Sequence, residues 1–167
     1  MPIQGAESFD RSAAWAALLR VHAALVPRLD RELRQAAGMP LAWYDVLLEL
    51  HAAPGGRLRM SDLGERVVLS RTRVSRVVDE LVDAGLVLRE ANPHDGRSAL
   101  ATLTKAGARR LRAAAPAYLD SIDRHFTRHL TVAEQKAIAG GLNRVLTADP
   151  IEWPLVSSPD ARGQRVP

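Results

Sequence analysis

Cysteine is absent from the 167-residue chain. That excludes a disulfide scaffold, a thiolate nucleophile, a thiol redox switch and any Cys-based zinc site. Aromatic residues make up only 4% of the sequence. The side chains that fill sheets are therefore sparse, while Ala and Leu, strong helix formers, supply much of the 47% apolar share. No apolar stretch approaches the roughly 18 residues of a membrane span. The first residues also lack the basic-then-apolar pattern of a signal peptide, so the expected location is cytoplasmic. Lysine is nearly missing, and 21 of the 23 basic residues are Arg.

The net charge of +4 is modest, but its placement is not uniform. Residues 1–54 balance to −1, residues 55–112 to +5 and residues 113–167 to zero. An excess confined to the middle third is the footprint expected of a local nucleic-acid contact.

The apolar spacing predicts a mainly helical chain. Phe9, Leu18, Leu19, His22, Leu25, Val26, Leu29 and Leu33 recur at three- and four-residue steps, giving one helix over 8–37 that Pro27 should kink and Gly38 should stop. A second helix is expected over about 41–52, ended by Ala53-Pro54-Gly55-Gly56. Ser61 is the expected cap of a short helix holding Leu63, Val67 and Val68. Ser70 is the expected cap of the next, whose stripe is Val74, Val77, Val78, Leu81 and Val82 and whose stop is Gly85. Leu86–Leu88 and Leu100–Leu103 read as two strands joined by a long loop around Asn92–Arg97. Thr104 then caps a helix to about residue 129, bent at Pro116, and Thr131–Glu134 is a capping box for a last helix. Residues 149–167, rich in Pro and Ser, read as an irregular tail.

A short helix, a tight turn, a second helix and a hairpin form the order of a winged helix-turn-helix, placed here at 41–103. The helix after Ser70 is informative. Its exposed side begins Ser70, Arg71, Thr72, Arg73 and continues with Ser75 and Arg76, while Asp79, Glu80 and Asp83 come later. Base early and acid late opposes the helix dipole, a local cost that an anionic partner at the N-terminus would offset. Short hydroxyls and Arg forks in the first two turns suit entry into a major groove. Arg89 on the first wing strand and Arg97 past its tip are further candidate contacts, with Asp95 orienting an Arg or closing the turn.

These residues resemble the MarR family of bacterial regulators. The resemblance is carried by Leu69–Leu81, Gly85-Leu86-Val87, the wing Asp95-Gly96-Arg97, and Leu103-Thr104-Lys105-Ala106-Gly107, with Trp43–Leu47 also fitting. It runs from about residue 10 to 147. It implies a homodimeric repressor or activator on a pseudo-palindromic double-stranded site. Residues matching Arg71, Thr72, Arg73, Ser75 and Arg76 would lie in the major groove, and the one matching Arg97 at the wing tip. The helical regions 8–37 and 104–148 would interlock between subunits. Their apolar surface exceeds what one small winged helix covers, which favours a partner chain independently.

The resemblance also implies release of DNA by a small aromatic or phenolic ligand. Trp15, Arg20, His22, Trp43, Tyr44 and His51 are the candidate pocket residues. Asp45 is expected to tether the second helix to a neighbouring donor. Trp15 and Asp45 match the family's urate-responsive branch, but Ala52 stands where that branch has Arg, which argues against urate. His125 and His129 share a helical face at i, i+4 yet cannot complete a zinc site alone. No metal or other cofactor is expected, and no nucleophile elbow or phosphate-binding glycine loop points to an enzyme. A ligand-independent regulator or an architectural DNA binder is the alternative. A helical adaptor without DNA binding is a third class.

Overall fold

The computed structural model describes residues 12–148 apart from Val68 and His94, and for Arg71 and 95–97 it describes the backbone only. Phe9, the start of the expected first helix and the expected tail at 149–167 lie outside the described residues. The helices are α1 (Ala13–Ala37), α2 (Leu41–Ala52), α3 (Met60–Arg66), α4 (Arg71–Asp83), α5 (Lys105–His125) and α6 (Val132–Ala148). The strands are β1 (Arg57–Arg59), β2 (Val87–Asn92) and β3 (Asp95–Leu103), with short 3-10 turns at Pro54–Gly56 and Thr127–His129.

Local chemistry explains most of the boundaries. Gly38 ends α1 in the left-handed region at φ 59°, a conformation that costs glycine little. Pro27 lies inside α1 and Pro116 inside α5. Asp30 of α1 accepts the Leu41 backbone N–H at 2.9 Å, so a carboxylate from one helix caps the next. The Thr104 hydroxyl accepts from Gly107 N at 2.9 Å as the cap of α5 and lies 3.0 Å from the carbonyls of both Gly85 and Leu86. The Thr131–Glu134 capping box closes in both directions.

Five expectations are corrected. Ser61 does not cap α3; Arg59 holds that position without a side-chain bond, and Ser61 Oγ instead donates to Asp62 Oδ1. Val67 follows α3 as a buried residue outside the helix. The hairpin strands are longer than read and the connection shorter, because Glu90 and Leu100 pair directly and pairing continues to Asn92 and Asp95. A third strand, β1, pairs with β3 through Arg57↔Thr102, Leu58↔Ala101 and Arg59↔Leu100, giving sheet order β1-β3-β2, all antiparallel. Finally, α5 stops at His125 rather than near 129, since Phe126 leaves helical backbone at φ −136°, ψ −67°. Gln135 of α6 donates to the carbonyls of Thr127 and Leu130 and so fixes that corner.

The core lies in the winged-helix unit and what touches it. Met39, Val46, Leu47, Leu50, Leu63, Val78, Leu81, Val87 and Ala101 are wholly buried, joined by Leu33 of α1 and by Leu111 and Ala114 of α5. Ala114 is the last buried apolar residue in the described chain. Beyond this unit the helices behave differently: Leu33 is the one buried residue of α1, and α6 has none. The upper parts of α1 and α5 are joined by polar groups. Glu32 receives Ser121 Oγ at 2.6 Å, His125 Nε2 at 2.8 Å and Arg124 Nη2 at 3.1 Å. Arg110 of α5 donates to the carbonyls of Ala37 and Gly38 at the end of α1.

Candidate nucleic-acid interface

The exposed side of α4 is set by what the other side buries. Val74, Val77, Val78 and Leu81 are between 0 and 5% exposed, so at 100° per residue the intervening positions must face out. Thr72, Arg73 and Arg76 are exposed and Ser75 is half-buried. Ser70 is the N-cap, its Oγ accepting from Arg73 N at a long 3.4 Å. The first turn of α4 contains no acidic residue, leaving its free N–H groups facing an uncompensated positive end.

The acidic half of α4 is not simply solvated. Asp79 pairs with Arg89 Nη1 of β2 at 2.6 Å, and Glu80 accepts from the indole Nε1 of Trp43 on α2 at 2.8 Å. These bonds tie α4 to the wing on one flank and to α2 on the other. Arg89, counted among the candidate DNA contacts, is therefore already engaged by a carboxylate. Neither link shows in residue spacing, since each joins two different elements, 10 and 37 residues apart.

The two wing strands pair antiparallel from Val87↔Leu103 to Asn92↔Asp95. Asn92, 5% exposed, donates to Ser98 Oγ at 2.8 Å, and the pairing shifts register between Ala91 and Asn92. Such an irregularity bends the strand and increases its twist. Asp95 and Arg97 lie at the start of β3, beside the tip.

The six candidate pocket residues are not brought together. Trp15 is 62% exposed, and Arg20 and His22 are exposed along α1. His51 is exposed in the last turn of α2. Trp43 is occupied by Glu80, while Tyr44 is buried with its ring 4.4 Å from that of Tyr118. An open apolar cavity of about 380 Å³ lies between α1 and the end of α5, lined by Arg20, Val21, Leu25, His125, Phe126 and His129 among others. Arg20 is the one candidate it shares. His125 and His129 both reach this cavity, but one ends α5 and the other ends the 3-10 turn, so they do not share a helical face. Among the described residues no group of three or more His, Asp or Glu is placed to hold a metal.

Asp45 corrects another expectation. No donor holds it among the described residues; burial, aided by Glu49, pushes its pKa up to about 6. A raised folded-state pKa means the folded protein binds more protons than the unfolded chain between the two values, so stability falls as pH rises from about 4 to 6. Asp45→Asn is expected to raise stability at pH 7 by about 2 kcal/mol and to flatten that dependence. Denaturant melts of both proteins at pH 4.5 and pH 7 check this; equal stabilities at pH 7 would refute it.

Comparison with known proteins follows this geometry. The MarR family model matches residues 37–98, from the end of α1 to the wing. An HTH-type transcriptional repressor of Mycobacterium tuberculosis is 33% identical over 119 residues, which cover 71% of this chain and 83% of the relative. Sco3205, a MarR family transcriptional regulator from Streptomyces coelicolor solved in complex with DNA, is 32% identical, with a TM-score of 0.76 over 87% of this chain and 96% of that one. AbsC, a MarR family regulator from the same organism, is 28% identical, with a TM-score of 0.74 over 87% of this chain and 97% of that one. These relatives are regulators rather than enzymes. With a sequence relative at this identity and coverage, a matched family model over the reading unit and the same winged-helix architecture, the chain belongs to the MarR family of transcriptional regulators.

Proposed function

We propose that the protein is a homodimeric, sequence-specific DNA-binding repressor that reads a pseudo-palindromic duplex. The observation that carries the DNA half is the two-sided character of α4: apolar residues inward, and outward along its first two turns hydroxyls with the exposed Arg73 and Arg76 and no acidic residue. Ser70, Thr72, Arg73, Ser75 and Arg76, with Arg71, would enter the major groove, and Arg97 beside the wing tip would meet the neighbouring minor groove, with Asp95 orienting an Arg or closing the turn. Arg89 serves better as the clamp between α4 and the wing than as a primary phosphate contact, because Asp79 already neutralises it. The DNA-bound structure of Sco3205 and the repressor named among the relatives support this reading.

The dimer half is supported by apolar surface with nothing over it. Trp15, Leu18, Leu19, Val21 and Val26 of α1 and Val132, Ile138, Leu142 and Val145 of α6 are all at least 37% exposed. Fully burying a Val, Leu or Ile is worth about 1.5–3 kcal/mol, and the exposed part of each of these side chains forfeits a corresponding fraction. A second copy covers both stripes at once, and a two-fold axis matches a pseudo-palindromic site. Release by a small aromatic or phenolic ligand belongs to the same proposal, with the cavity beside Arg20 as an additional place for it. The scatter of the six candidate residues favours the ligand-independent alternative. A thermal-shift screen against aromatic acids separates the two, since a ligand of the folded dimer must raise its midpoint. The described residues contain no helix long and apolar enough to cross a membrane, consistent with a cytoplasmic protein.

DNA affinity is expected to fall steeply with salt, with a logarithmic slope of about −0.9 per phosphate neutralised. Arg97→Ala should weaken binding to all duplexes, while Arg73→Ala should also relax sequence preference, each by roughly 5- to 100-fold. Affinity that is flat in salt, or identical for every duplex, overturns the proposal.

A further inference from the structure

Arg76 and Glu80 are four residues apart on α4, the spacing at which side chains on a helix meet and oppositely charged ones pair. Both are exposed, yet they do not pair: Glu80 is held 2.8 Å from the indole N–H of Trp43, and Arg76 has no carboxylate partner among the described residues. Trp43 is half-buried on α2, where its neighbour Tyr44 packs into the core and against Tyr118 of α5. The indole is thus anchored on a core-packed helix, and Glu80 sits one turn from Arg76, so without that hydrogen bond its carboxylate has Arg76 at pairing spacing.

We propose that Trp43 is a positioning residue for DNA binding: it draws the Glu80 carboxylate away from Arg76 and so keeps the Arg76 guanidinium available to a phosphate or base. This rests on the reading of α4 as the DNA-contacting helix. A carboxylate one turn below a phosphate-binding Arg would otherwise cost binding twice, by neutralising the Arg and by repelling the DNA backbone. The arrangement also explains why an acidic residue is tolerated on this face of α4. Its charge is turned sideways towards an N–H donor on a different helix.

The test uses the full-length protein and a duplex recovered by the wild type from a randomised library, titrated over a salt series. Trp43→Phe keeps an aromatic ring but loses the donor. It is expected to weaken binding roughly three- to tenfold and to make the logarithmic salt slope shallower by about 1, as for one lost phosphate contact. Glu80→Gln added to Trp43→Phe is expected to restore both, because the amide carries no charge to pair with Arg76. Failure of that rescue shows that Trp43 acts only through packing and overturns the proposal, as does an unchanged Trp43→Phe. If Trp43→Phe lowers the thermal midpoint, Glu80→Ala alone decides: it must bind at least as tightly as the wild type, and weaker binding overturns the proposal. Arg76→Ala keeps the two levels apart. Without any effect of Arg76→Ala on wild-type binding, the α4 reading itself fails.

Discussion

Gly107→Ala is expected to cost about 3 kcal/mol or more of stability, the largest loss of any glycine-to-alanine change among the described residues. A Cβ at this position would stand 2.2 Å from the Leu86 carbonyl oxygen and 2.8 Å from Leu103 Cδ1. The first of these is backbone and cannot rotate away. The same carbonyl lies 3.0 Å from the Thr104 hydroxyl and accepts the Thr104 N–H, so its displacement also undoes the cap of α5. Overpacking usually costs 1–3 kcal/mol, and an obstructed backbone with a lost cap lies at the upper end or above it. Gly85→Ala provides the contrast: φ is +69° but nothing lies within 4 Å of the new methyl, so only the backbone conformation is penalised, by about 1 kcal/mol. Chemical denaturation of both variants checks this. A Gly107→Ala protein as stable as Gly85→Ala would refute the close-packing argument.

The second large effect concerns assembly. Leu142→Glu combined with Val145→Glu places two carboxylates on the exposed stripe of α6. Because α6 buries no side chain within its own chain, the fold of the reading unit should survive, with near-normal helical content by circular dichroism. A partner's apolar surface, however, would meet two unpaired charges. Sedimentation at micromolar concentration is expected to change from dimer to monomer. DNA affinity should drop roughly 100-fold or more, since two linked half-site contacts become one. A wild-type protein that sediments as a monomer, or a variant that remains a dimer, removes the dimer from the proposal.

What the sequence made legible follows a physical divide. Helix starts and stops were readable where one residue acts on its own backbone: Gly38, Ser70, Thr104 and the Thr131–Glu134 box all act where the spacing put them. The apolar stripe of α4 was equally plain, because a 3.6-residue period needs no knowledge of the partner surface. Strand β1 was not readable. Three residues, Arg57–Arg59, carry no periodicity, and only pairing with β3 makes them a strand. The stop at Phe126 was missed because it depends on Gln135 holding the corner from the following helix. Ser61 had the right chemistry for a cap two residues too late in the chain.

Site residues divide in the same way. The basic half of α4 was visible as a local run. The links that govern the acidic half, Arg89 to Asp79 and Trp43 to Glu80, span 10 and 37 residues and leave no trace in spacing. Asp45 shows the opposite error: a donor was expected to hold this carboxylate, yet its surroundings supply only burial and a second acid of the same helix, Glu49.

The position of Ala114 as the last buried apolar residue has a kinetic consequence. Every buried apolar residue of the reading unit precedes α6 in the chain, so closing that unit is an intramolecular event that need not wait for the proposed assembly. Assembly is second order and slows as the protein becomes scarce, whereas folding does not. In the proposed dimer, newly made chains at low abundance would pass through an interval as folded monomers with the α1 and α6 stripes bare, the form most exposed to aggregation and proteolysis. Scarcity would then be self-reinforcing, with turnover fastest when the protein is rarest.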